Sequence, residues 1–246
     1  MTIPTLKEEI PWLDTEQMIE VDRAMMEVYR IDLVRMMENA GRCLATLARE
    51  RFLDGSPVGK HVTVLAGSGG NGGGALVAVR RLHNWGANVK VLLAQKAEKM
   101  TSVPGHQLDI LSRMGIDIVV EPVVQPSIDA PAVIIDGLIG YSLKGAPYGV
   151  TRDLIEWANA QSAPILALDT PSGIDTATGT VFDPAIQATA TMTLALPKAA
   201  LRTPDVAAFV GDLYLADISV PPSLYARPAL GLHVGPIFAE GDVVRL

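Results

Sequence analysis

The sequence predicts an α/β fold: a mainly parallel sheet between two layers of helices, preceded by an N-terminal helical segment. Three observations predict it. Short, nearly continuous apolar runs recur from residue 61 onward, as expected of strands buried on both faces. Stretches long enough for amphipathic helices separate them, which is the rhythm of crossover connections. A glycine-rich turn, AGSGGNGGGA at 66–75, stands between the first apolar run and the first such helix.

Taken in order, Asp14 precedes TEQMIEVDRAMMEVYR, where Met18, Val21, Met25 and Val28 recur at helical spacing. A second helix follows Asp32, with Leu33, Met37, Ala40, Leu44 and Leu47 on one face. The methionine stripe reads as core packing. The strands are then HVTVLAG, NVKVLLA, DIVV, AVIIDGL, PILALDT and TMTLALP. Between them, GALVAVRRLHNWG fits a helix closing at Gly86, VPGHQLDILSRMG fits another, and residues 149–160 a third. DLYLADISVPP adds a last strand, stopped by its proline pair. Residues 1–246 thus read as one domain, with a helical lead-in at about 14–53 and an α/β core at about 60–221. A C-terminal extension, 222–246, carries no clear pattern.

Composition narrows the function. With 246 residues, 49% of them hydrophobic, the chain can bury a substantial core. Net charge is −7 and no Lys/Arg cluster exists, which argues against nucleic acid or an anionic membrane as partner. Cys43 is the sole cysteine, so no internal disulfide forms, which suits a reducing compartment. The start, MTIPTLKEEIPW, has no apolar signal region, and no run approaches the ~18 apolar residues of a membrane span. The expectation is a cytoplasmic protein whose function lies in a local site.

In parallel sheets the ligand crevice lies beyond the carboxyl ends of the strands. The segments leaving those ends are GSGGNGGG, DGLIGYSLKGAP, DTPSGID and LPKAAL. Gly67 to Gly72 satisfies G-x-G-x-x-G between a strand and a helix, where backbone N–H groups favour phosphate. A tight turn without ligand satisfies the same pattern. The dehydrogenase fingerprint also needs an acid after the next strand, and Leu93-Ala94-Gln95-Lys96 has none, so hydride transfer is disfavoured. Asp136 ends an apolar strand and could cap a turn or ligate a cation. Lys144 lies in a glycine-flanked loop and reads equally as a solvated lysine or a site residue. In DTPSGID, Ser172 and Asp175 could reach the same mouth as Asp169, or simply hold the turn. Oxygens from Asn71, Asp136 and Ser172 would together suit a hard cation. The scattered histidines lack metal spacing, and neither a nucleophile elbow nor a Walker lysine is present.

MENAGR (37–42), GSGGNGGG (67–74), DGLIGYSLKG (136–145), DTPSGID (169–175), LPKAAL (196–201) and GDLYLADISVP (211–221) occur in that order. Together they resemble the NAD(P)H-hydrate epimerase family, the YjeF N-terminal domain. The resemblance implies a three-layer α/β/α Rossmann-like sandwich. It implies an isomerase that interconverts the R and S hydrates of NADH and NADPH, a nucleotide-repair step, with one potassium ion per subunit. By position, Gly70, Asn71, Gly72, Gly73 and Gly74 would line the dinucleotide. So would Gly140, Tyr141, Ser142, Leu143, Lys144, Gly145 and Ala146. Asp169 would contact the substrate, and Asn71, Asp136 and Ser172 would hold the potassium. A positioned carboxylate could move the proton at the hydroxyl-bearing carbon. Asp169 is the candidate acid–base group, with Lys144 or Lys198 as its electrostatic partner. The resemblance alone also implies a homodimer, and a separate NAD(P)H-hydrate dehydratase working beside it.

One departure stands out. The family's glycine loop runs close to NNGGDG, so Gly70 replaces an Asn and Gly74 an Asp. That change keeps open an alternative: a catalytically weak or inactive nucleotide-binding or protein-interaction module on the same fold. The unbroken DTPSGID stands against it. A nucleotide-binding α/β enzyme of another class is a third reading, weakened by the missing ribose acid and Walker lysine.

Overall fold

A computed structural model describes residues 3–123 and 130–246. Its sheet has eight strands, and the helices that connect them cover both faces. Two helices lead in, α1 (Thr15–Glu27) and α2 (Leu33–Phe52). Each starts on an aspartate whose carboxylate accepts from the third helical N–H, Asp14 from Gln17 and Asp32 from Arg35. Then come β1 (His61–Ala66), α3 (Gly70–Asn84), β2 (Asn88–Leu93), α4 (Ser102–Arg113), β3 (Asp117–Val120) and β4 (Val133–Gly137). After α5 (Gly149–Asn159) and β5 (Ile165–Leu168), a small hairpin, β6 (Ile174–Asp175) with β7 (Thr180–Val181), stands apart from the main sheet. The chain closes through β8 (Ala190–Leu194), α6 (Pro204–Val210), β9 (Asp212–Ala216), α7 (Pro222–Tyr225) and β10 (Val243–Arg245).

The strand order is β10-β9-β8-β5-β4-β1-β2-β3. All neighbours pair in parallel except β10, which runs antiparallel to β9. From β1 the chain moves outward through β2 and β3, then returns to lay β4 on the other side of β1. That reversal opens a crevice at the carboxyl ends of β1 and β4. Val62, Val64 and Ala66 pack with α2, α3 and α4, whereas Leu65 and Ile134 pack with α5 on the opposite face. Alternating side-chain direction thus sends successive strand residues to opposite layers.

Two elements differ from expectation. Helix α3 begins at Gly70, four residues before the expected start at Gly74, so the glycine run forms its first turn. Glycine is a poor helix former, but here close packing decides. A Cβ at Gly72 would lie 1.9 Å from the Gly67 carbonyl oxygen, and one at Gly73 would lie 2.5 Å from the Met37 sulfur. The C-terminal extension also belongs to the domain. It adds β10 to the sheet edge, and Leu224, Tyr225, Val234 and Ile237 share a core with Leu13, Met18 and Met25.

Candidate functional site

The crevice at the strand ends is a cleft of about 1040 Å³. One wall is the turn after β1, Gly67 to Asn71, and the other is the loop after β4, Gly140 to Ala146. Beneath it lies a chamber of about 110 Å³, reached past Gly70, Asn71 and Tyr141, which line both cavities. The chamber is bounded by Gly74, Asp169 and Lys198.

At its floor, Asp169 and Lys198 form an ion pair that is almost entirely buried, at 2% and 1% exposure. Asp169 leaves the end of β5 with φ of +67°, in the left-handed region, and its N–H is held by the Met192 carbonyl at 2.7 Å. The same carboxylate oxygen accepts from the Leu194 N–H at 3.2 Å. Lys198 also donates to the Leu194 carbonyl at 2.9 Å and to Thr193 at 3.3 Å. Its loop is strapped by the lead-in segment: the Leu13 N–H donates to Pro197, and its carbonyl accepts from Ala199, both at 2.8 Å. Lys198 is therefore the partner of Asp169. Lys144 stands exposed on the cleft wall and makes no ion pair with Asp169.

Beside the floor is a knot of oxygen groups. Asp136, 1% exposed at the end of β4, accepts from the Ser172 N–H at 2.8 Å, the Ser172 hydroxyl at 2.7 Å and the Leu138 N–H at 3.1 Å. Ser172 in turn accepts from the Ile139 N–H at 2.9 Å. The Asn71 amide meets the carbonyls of Leu168 at 2.7 Å and Ile139 at 3.4 Å, and the Ile139 carbonyl lies 3.3 Å from the Ser172 hydroxyl. Asn71 and Ser172 thus share the Ile139 carbonyl, and Asp136 joins the knot through Ser172. Burial pushes the Asp136 carboxyl up to about 6, against three hydrogen bonds that lower it. No Lys, Arg or His forms an ion pair with it among the described residues. A buried carboxylate, a hydroxyl, an amide and carbonyl oxygens are the donor set of a hard cation, and Asp136 has charge left to offset.

Several sequence expectations change place. Gly72 and Gly73 line neither cavity, because their missing side chains let α3 close on Gly67 and Met37. Asp175 does not reach the mouth; it holds the hairpin turn through the Ala177 N–H and the Thr178 hydroxyl. Gly74 does face the chamber, where a Cβ would meet the Leu168 side chain at 2.9 Å, whereas a Cβ at Gly70 would meet open space.

Sequence reasoning missed Asp22. It stands on α1, lines both cavities, and accepts a 2.5 Å hydrogen bond from the Tyr141 hydroxyl. Burial raises its pKa, partly countered by that bond and by the Lys198 charge. Its only sequence signal was a carboxylate set directly beside the buried stripe residue Val21.

Comparison with known proteins finds relatives along most of the chain. The family model "YjeF-related protein N-terminus" matches residues 34–200. An NAD(P)H-hydrate epimerase of Dehalogenimonas lykanthroporepellens is 41% identical over 93% of this chain and 90% of its own length. A bifunctional NAD(P)H-hydrate repair enzyme Nnr of Moorella thermoacetica is 35% identical over 85% of this chain, but only 41% of that longer protein is covered. The crystal structure of yeast ynu0 superposes with a TM-score of 0.79 over 96% of this chain and all of its own, at 22% identity. That last likeness concerns the fold.

Proposed function

Since the chain belongs to the YjeF-related protein N-terminus family, we propose that it is an isomerase interconverting the R and S hydrates of NADH and NADPH. The observation that carries this reading is the epimerase relative that matches along nearly its whole length. The site geometry supports it. The cleft is large enough for a dinucleotide. The free N–H groups at the start of α3 open onto it and suit the phosphates. The hydrated ring would enter the chamber, where Asp169 handles the proton at the hydroxyl-bearing carbon. Lys198 holds that carboxylate in a fixed direction through the buried ion pair. Lys144, out on the wall, is suited to the nucleotide's phosphates.

The fit of the oxygen cluster supports a potassium ion held by Asn71, Asp136 and Ser172. When bound, it would supply fixed positive charge near the strand ends. The protein should melt at a higher temperature in potassium chloride than in choline chloride, and Asp136→Asn should remove the difference. The shift would be about 2–4 °C for each kcal/mol of binding stabilisation. Equal melting in both salts would remove the ion from the proposal. A homodimer and a cytoplasmic location complete the reading. A separate dehydratase as working partner finds support in relatives that carry a bifunctional repair name.

The deciding experiment adds purified protein to R-NADHX with potassium present and follows S-NADHX by chromatography. Acceleration over the spontaneous rate is expected. If there is none, the binding-module reading takes over, with Gly74 in place of the family's Asp as its structural support.

A further inference from the structure

Asp22 shares the chamber with Asp169 and Lys198, and nothing derived so far gives it a task. The two carboxylates differ in company. Asp169 is paired with the lysine, whereas Asp22 forms no ion pair among the described residues and has the Tyr141 hydroxyl on one oxygen, Oδ2. They also reach the chamber from different elements, Asp22 from the lead-in helix and Asp169 from the end of a central strand. Interconverting two stereoisomers requires a proton to be handled on both faces of the hydroxyl-bearing carbon. One fixed carboxylate serves only one face.

Resting on the epimerase reading, we propose that Asp22 is a second catalytic acid–base group, serving one face of that carbon while Asp169 serves the other. In one direction the Asp22 carboxyl gives its proton to the hydroxyl oxygen. The C–O bond breaks with its electron pair on oxygen, releasing water, while the lone pair of the adjoining ring nitrogen forms a C=N bond. Solvent water then adds to the opposite face. Its oxygen lone pair forms the new C–O bond, the C=N pair returns to nitrogen, and the Asp169 carboxylate takes the released proton. The other direction swaps the two roles, and exchange with solvent resets both groups. Water is the only co-reactant. Burial shifts the Asp22 carboxyl upward, the direction that favours a proton donor.

The competing role is purely positional, with Asp22 holding the 140–146 loop through Tyr141. Two variants separate them. Asp22→Ala removes the carboxylate, while Tyr141→Phe removes only the hydrogen bond. R-to-S equilibration is expected to fall about 100-fold or more in Asp22→Ala and less than about tenfold in Tyr141→Phe. Added formate, which fits the space vacated by the carboxylate, should restore part of the Asp22→Ala rate. Such rescue also certifies a folded site. Wild-type rates in Asp22→Ala, equal losses in both variants, or no response to formate would each overturn the proposal. Wild-type protein in the same assay keeps the parent reading separate: if it fails to equilibrate the hydrates, the epimerase assignment itself falls.

Discussion

Asp169→Asn is expected to slow R/S equilibration by about a thousandfold, within the range that a positioned acid–base group contributes, while the protein stays folded. The choice of asparagine matters. Asp169 sits at φ of +67°, which Asn tolerates better than most residues, so the substitution keeps the backbone in place. The amide oxygen can still accept from the Leu194 N–H. What disappears is the charge and the ability to exchange a proton. Parallel measurement of NADPH binding separates the two losses, because on the proposed reading the dinucleotide would be held mainly by the cleft above the chamber. Unchanged binding with lost turnover is the expected pattern. Unchanged turnover would remove Asp169 from the reaction.

Asp136 and Asp169 were legible as candidates because each stands at the carboxyl end of an apolar run, where a polar residue has no packing reason to be, and Ser172 because it follows in the turn after Asp169. The parallel sheet was legible for the same physical reason: strands buried on both faces must be apolar throughout. Other features depended on partners distant in sequence. Lys198 becomes the partner of Asp169 only because Leu13, far away in the chain, straps its loop. Nothing local distinguished it from Lys144, which lies in the more suggestive glycine-flanked loop yet stands exposed. Asp22 was hidden by the helix that carries it, since one face of α1 is core and its place at the chamber shows only once Tyr141 meets it from the loop after β4. Strand β10 is three residues long and draws its stability from β9, so its own sequence carried little signal. The glycine run misled for the opposite reason. Propensity argued for a loop, and tertiary packing against Gly67, Met37 and Leu168 made the same residues a helix.

Lys198→Met should have the largest effect on stability, about 3–5 kcal/mol, because it leaves the Asp169 carboxylate buried without its cation. Methionine approximates the lysine stem, so lost packing contributes little. Activity should fall as well, since the Asp169 carboxylate would lose the partner that fixes its direction. The double variant Asp169→Asn with Lys198→Met gives the sharper result. Removing both charges together avoids the unpaired carboxylate, and neutral replacements of a buried ion pair cost little. Urea denaturation is expected to show the double variant recovering most of the stability lost in Lys198→Met, a coupling of a few kcal/mol, while its equilibration rate stays at the Asp169→Asn level. That combination, stability regained without activity, would mean the pair is kept for chemistry rather than for folding. A double variant no more stable than Lys198→Met alone would instead make the lysine a structural post whose hydrogen bonds to Thr193 and Leu194 hold the loop.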